Sequence, residues 1–207
     1  MASSIFITML FISSIFLPKI LADNSFIDEA CSSTFEYFDR DICLQILRSD
    51  PQISSATTLR DFSIHIIQSA IANATSTQAY VLKAMQSSSM SGDHTTAKAL
   101  EVCSHSYPAA LVSLKSALNE IVLINEYMTA SYDLLIASTD DIVHCRDAVK
   151  AARVSDAVVL TGVRVLPIYG LSAYQIVDRL SAESRSPPPP PPGGLPPSPS
   201  PSSSSNV

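Results

Sequence analysis

Residues 31–47, CSSTFEYFDRDICLQIL, set two cysteines twelve positions apart in a stretch that otherwise reads as helix. An unbroken helix rises about 1.5 Å per residue, which would hold Cys31 and Cys43 roughly 18 Å apart. A disulfide needs Cα atoms within about 7 Å. Either the two are not partners, or the chain doubles back between them. The two answers imply different folds.

The compartment decides how cysteine is read. Residues 5–17, IFITMLFISSIFL, form a short apolar run followed by Pro18, Lys19 and a small residue at Ala22. This pattern predicts a secretory signal peptide over residues 1–22. The run is shorter than the ~20 apolar residues a bilayer span needs. No later stretch is expected to span one, so no membrane association is expected after signal cleavage. The mature chain would then be oxidised with all four cysteines, Cys31, Cys43, Cys103 and Cys145, inside it. An even number argues for two disulfides, with three possible pairings. A zinc site would want tight pairs such as C-x2-C, and no two cysteines are that close. No metal and no cofactor are expected.

At the other end, residues 184–207 hold ten of the fourteen prolines and almost no apolar side chains. Such a segment cannot offset its ordering entropy by burial, and a disordered, polyproline-like tail is expected there. Residues 23–183 remain as one domain. Losing Lys19 with the signal takes the 13 basic residues to 12 against 19 acidic ones, a net charge of −7. Without a basic patch, nucleic acid is not an expected partner.

Within the domain, apolar or small residues recur at steps of three and four. One stripe runs Leu59, Phe62, Ile66, Ala70, Ala74, Thr77, Val81 and Met85. A second begins at Ala97 and continues through Leu100, Cys103, Tyr107, Leu114 and Ile121 to Ile124 and Met128. That spacing predicts two long amphipathic helices, separated by SSSMSGDHT with Ser91 or Asp93 as the N-cap. Tyr132 to Val149 suggests a third helix and Val159 to Leu180 a fourth. Pro108 and Pro167 fall inside these helices, so each predicts a kink or a later helix start. Strand signals are poor. The fold class is therefore all-α: an antiparallel four-helix bundle, in which the stripes bury against one another.

Residues 26–50 are left over, and the bundle needs no fifth long helix. FEYFDRD can break them into two short helices folded back as a hairpin, clipped by Cys31–Cys43. Cys103–Cys145 would then tie the second helix to the third. The alternative pairings would need the hairpin to reach the middle of the bundle. By loop-closure entropy the two bridges would contribute about 3 and 4 kcal/mol.

Three segments carry a resemblance. They are CSSTFEYFDRDICLQILRSDPQ, with Thr34, Leu47 and Pro51; ALEVCSHSYPAALVSLKSAL, with Leu100, Cys103 and Tyr107; and ASYDLLIASTDDIVHCRDAV, with Asp140 and Cys145. Over about 26–181 the chain resembles the plant invertase and pectin methylesterase inhibitor family. The spacing of Cys31 and Cys43 is closer to its invertase-inhibitor-like branch, although the Pro-Lys-Phe motif tied to invertase inhibition is absent from the mature chain. The resemblance implies a secreted inhibitor of the cell wall (apoplast) that occludes the cleft of pectin methylesterase or invertase. It would act as a monomer and supply no reacting atom. Another reading is a structural wall glycoprotein whose helical domain is inert. Its tail after Ser186 resembles extensin modules.

No catalytic constellation competes. His65, His94, His105 and His144 form no metal-ligand pattern, and His144 adjoins a cysteine expected to be oxidised. Asp140 and Asp141 are adjacent, hence about 100° apart on a helix, and read as a solvated pair rather than an acid/base dyad. Five glycines leave no phosphate-cradling loop. A non-enzymatic binding protein is expected. Glu120, Asn125, Glu126, Tyr127 and Asp133 are the partner-contact candidates, with Tyr132 as a further aromatic of the type that anchors interfaces. Asn73-Ala74-Thr75 is an N-glycosylation acceptor.

Overall fold

The computed structural model describes residues 24–36 and 38–186. The expected signal peptide and most of the expected tail lie outside these residues. Eight α-helices make up the described chain: α1 Asn24–Ala30, α2 Arg40–Ser49, α3 Pro51–Ser54, α4 Leu59–Ser91, α5 His94–Asn119, α6 Tyr127–Ile136, α7 Val143–Ala151 and α8 Ala157–Arg185. Two π-helical turns, Glu120–Ile124 and Ala137–Asp141, follow α5 and α6. No strand occurs among the described residues.

Local chemistry sets the helix ends. Thr58 begins α4 by accepting from the Asp61 amide at 3.0 Å, and its hydroxyl donates to the Asp61 carboxylate at 2.8 Å. The two side chains thus satisfy each other and one orphan N–H of the first turn. At the far end Gly92 takes φ +79°, and the Asp93 amide reaches back to the Ser88 carbonyl at 3.0 Å. That geometry needs a residue free of a Cβ. Of the two N-cap choices the structure uses Asp93, which accepts from the Thr96 amide at 3.0 Å; Ser91 still belongs to α4. A two-residue turn therefore reverses the chain.

Both prolines sit inside continuous helices, Pro108 in α5 and Pro167 in α8. Neither helix starts later because of its proline, so that part of the expectation fails. The third rod differs more. It begins at Tyr127 and consists of α6, a π turn and α7. At that turn the hydroxyls of Ser138 and Thr139 donate to the carbonyls of Leu134 and Leu135, at 2.7 and 2.8 Å. Such i−4 back-bonding competes with the regular ladder and bends helices. Gly170 of α8 faces Ser138 so closely that a Cβ there would overlap its hydroxyl.

The rods pack as a ring, α4 against α5 and α8, and α6 against α5 and α8. Phe62, Ile66, Tyr107, Leu114, Leu134 and Ile176 are among the residues buried between them. Cys103 is bonded to Cys145, with Cα atoms 4.3 Å apart, joining α5 to α7. Two helices, His94–Ile124 and Ala157–Arg185, are long and apolar enough to cross a membrane by length and composition, contrary to the expectation that no later stretch would be. In this fold each buries one face against the bundle, which is what a core helix of this hydropathy does.

The leftover segment is a hairpin. Cys31, just past α1, is bonded to Cys43 in α2, with Cα atoms 5.7 Å apart. Ile27 and Leu47 are buried beneath it. Along α8, Arg179 pairs with Glu29 and Arg164 with Asp39, each at 2.6 Å. The Ser172 hydroxyl lies 3.1 Å from the Cys43 sulfur, and Phe26 packs on Phe62 of α4 with ring centroids 5.7 Å apart. The hairpin is thus strapped along α8 and reaches α4 at its end.

Candidate binding face

The second long stripe was expected to remain buried through Ile124 and Met128. Ile121 is buried, but Ile124 is 67% exposed and Met128 58%. The reason is that the helix does not continue: a wider π turn ends it, and the left-handed Asn125 redirects the chain before α6 begins. Val122, Leu123, Ile124 and Met128 all reach the surface, as does Tyr132 one turn further along α6. Leu123 is 73% exposed. Such a run of exposed large apolar side chains is uncommon on a monomer and makes a candidate interaction surface.

The turn that presents them is held firmly. Arg60 of α4 donates to the carbonyls of Ile121 at 3.0 Å and Val122 at 3.3 Å, placing a cation on the orphan acceptors of a helix C-terminus. Asn125 closes the turn at φ +54°, a left-handed conformation that Asn tolerates better than other side chains. The Glu126 amide returns to the Glu120 carbonyl at 3.0 Å, and the Glu126 carboxylate caps α6 through the Met128 amide at 3.2 Å.

Carboxylates rim the apolar residues. Glu120 is half-buried, its Oε2 sealed from solvent without a partner, and the Ser116 hydroxyl is 3.4 Å from its Oε1. Burial lifts its carboxyl above the usual range, the Asp133 charge adds to this, the Ser116 contact opposes it, and Glu126 gives a smaller push. Asp141, in the π turn before α7, is also lifted by burial. There the Ser113 hydroxyl, at 2.8 Å, opposes the effect, while Asp140 and Asp133 add to it. Asp133 therefore bears electrostatically on both raised carboxyls. A row of acids follows the α5–α6 seam from the turn upward.

Of the contact candidates, the structure brings Glu120, Glu126 and Asp133 together. Asn125 and Glu126 are placed to shape the turn. Tyr127 is half-buried against the core, whereas Tyr132 is 61% exposed. Val122, Leu123, Ile124, Met128 and Arg60 were missed. A signal for the first three existed. Four consecutive apolar residues, Ile121 to Ile124, cannot all face inward on a helix that turns about 100° per residue.

Elsewhere, His105, Ser106, Asp140, Asp141 and His144 line a groove between α5 and α7. No group of three or more His, Cys, Asp or Glu side chains suited to a metal occurs among the described residues. All four cysteines are in disulfides, so no thiolate is available as a nucleophile.

A family model described as plant invertase/pectin methylesterase inhibitor matches residues 25–179. The fold is similar to the crystal structure of a pectin methylesterase inhibitor from Arabidopsis thaliana. The TM-score is 0.54 and the identity 21%, covering 76% of this chain and 97% of that one. No curated protein sequence matches the chain significantly.

Proposed function

The chain belongs to the plant invertase/pectin methylesterase inhibitor family, and from this we propose that it is an exported inhibitor of a cell-wall carbohydrate-active enzyme, pectin methylesterase or invertase. The observation that carries the reading is the apolar turn of Val122, Leu123 and Ile124, extended by Met128 and Tyr132 and rimmed by Glu120, Glu126 and Asp133. A concave enzyme cleft has the complementary shape for such a protruding turn. The target's rim would supply cationic groups to meet the carboxylates.

Inhibition on this reading is occlusion. Arg60 and the Glu126 cap hold the turn in place before the partner arrives, so association orders few new groups. Substrate is excluded because the face covers the cleft. No bond to the target forms.

The test is a pair of inhibition assays, against pectin methylesterase and against invertase, with the intact domain and with Leu123→Asp/Ile124→Asp. The intact domain inhibits one of them. The double substitution weakens inhibition at least about a hundredfold, as loss of a central apolar anchor does, with the helical circular dichroism unchanged. Full potency of the substituted protein would remove the turn from the interface. Deleting residues 187–207 leaves inhibition intact, whereas the wall-glycoprotein reading requires activity in neither form.

A further inference from the structure

We propose that Asn73 carries an N-linked glycan, seated in a window of the α4–α8 seam on the face of the bundle opposite the candidate binding face. The Asn73-Ala74-Thr75 acceptor lies in mid-α4. Ser69, Asn73 and Tyr80 are spaced by four and seven residues and so share one face of that helix. The two flanking residues show what the face meets. The Ser69 hydroxyl donates to Asp50, at the head of α3, at 2.7 Å, and Asp50 in turn bears on Tyr169 of α8. The Tyr80 hydroxyl donates to Asp156, the N-cap of α8, at 2.7 Å. Asn73 therefore stands in the α4–α8 seam, past the end of the hairpin and before the start of α8.

Oδ1 is sealed from solvent and has no hydrogen-bond partner, while the residue as a whole is only half-buried. Thr75, the acceptor's hydroxyl residue, is exposed and bonds only the Ile71 carbonyl within its own helix, at 2.7 Å. In the ring of rods the α4–α8 seam is diagonally opposite the seam of α5 with α6 and α7. A glycan there shields Tyr80 and Tyr169 and leaves Leu123, Ile124 and Tyr132 clear.

The donor is a polyprenyl-diphosphate-linked oligosaccharide, met during export before α4 closes. The Asn73 Nδ2 forms a bond to the anomeric carbon as the bond from that carbon to the diphosphate oxygen breaks. Polyprenyl diphosphate leaves, and the amide proton passes to a base of the transferase.

The test uses the full chain secreted from plant cells, read on the tryptic peptide 61–83 so that sugars elsewhere do not interfere. The expected result is a mass excess of hexose and N-acetylhexosamine units. Treatment with a peptide:N-glycanase in ¹⁸O water removes it and leaves Asp labelled with one ¹⁸O at position 73. Thr75→Ala, which keeps Asn73, abolishes the excess, and so does Asn73→Gln. A peptide of unmodified mass, or an excess that survives Thr75→Ala, overturns the proposal. Hydroxyl-radical footprinting tests the placement: removing the glycan raises labelling of Tyr80 severalfold and leaves Tyr132 unchanged, whereas protection centred on Tyr132 overturns it. Neither readout depends on inhibition of any enzyme.

Discussion

The side of the bundle formed by α8 and the hairpin contrasts with the side formed by α5 and α6. On the first, apolar surface is covered. The hairpin lies along α8, Ile27 and Leu47 are sealed beneath it, and Arg164 and Arg179 pair with acids of the opposite element. On the second, large apolar side chains stay in water and the carboxylates crowd one another, so that Glu120 and Asp141 are lifted by burial and by neighbouring acids. The first side supports the fold and the second leaves apolar surface unused within it. A partly desolvated acidic face costs stability in the free protein. On the proposed reading, a partner that supplies the opposite charge recovers that cost.

The largest expected effect breaks the scaffold both sides share. Cys103→Ala with Cys145→Ala removes the tie between α5 and α7 and lowers stability by about 4 kcal/mol. A thermal melt shows it, and an unchanged midpoint would mean that helix packing alone holds the two rods.

Next is the seam between α6 and α8. Gly170→Ala places a methyl on the Ser138 hydroxyl and costs about 1–3 kcal/mol by overpacking. Adding Ser138→Ala recovers most of the loss in denaturant titration. A double variant no better than the single one would show that the strain lies elsewhere.

The third prediction concerns pH and separates the two sides directly. The folded pKa values of Glu120 and Asp141 are raised. Between the unfolded value and the raised one the folded protein binds more protons, so stability falls as pH rises through that window. Glu120→Gln with Asp141→Asn therefore raises the melting temperature at pH 7 and does little at pH 3. Asp39 moves the other way. The Ile42 amide and then Arg164 hold its carboxyl below the usual range. Its contribution is present above the unfolded pKa and is lost as pH falls through the folded one. Asp39→Asn accordingly lowers the melting temperature at pH 7 and not at pH 2. Equal shifts at both pH values in either variant would contradict these signs.

The smallest effect is Arg179→Ala, which breaks exposed pairs to Glu29 and Glu183. Such pairs contribute within about 1 kcal/mol, and the loss should shrink further in high salt. A larger, salt-independent loss would show that Arg179 matters through the packing of its stem.

Much of the scaffold was legible in the chain. The stripe from Leu59 to Val81 marks the buried face of α4, because side chains on an α-helix repeat every 3.6 residues whatever they pack against. The punctuation at Gly92-Asp93 was legible for the same local reason. The candidate face was legible by halves. Glu120, Glu126 and Asp133 stood out as clustered polar residues, but their apolar neighbours were assigned to the core by extending a period that the π turn interrupts.

What the sequence determined alone was an all-helical domain with its helix order and turn chemistry, since these depend on residues a few positions apart. Only the tertiary structure decided which apolar residues remain outside. The turn bearing Leu123 and Ile124 is stabilised by Arg60, some sixty residues earlier, and the second π turn lies where Gly170 of α8 admits Ser138. Contacts across such distances place the ends of helices, and no local periodicity encodes them.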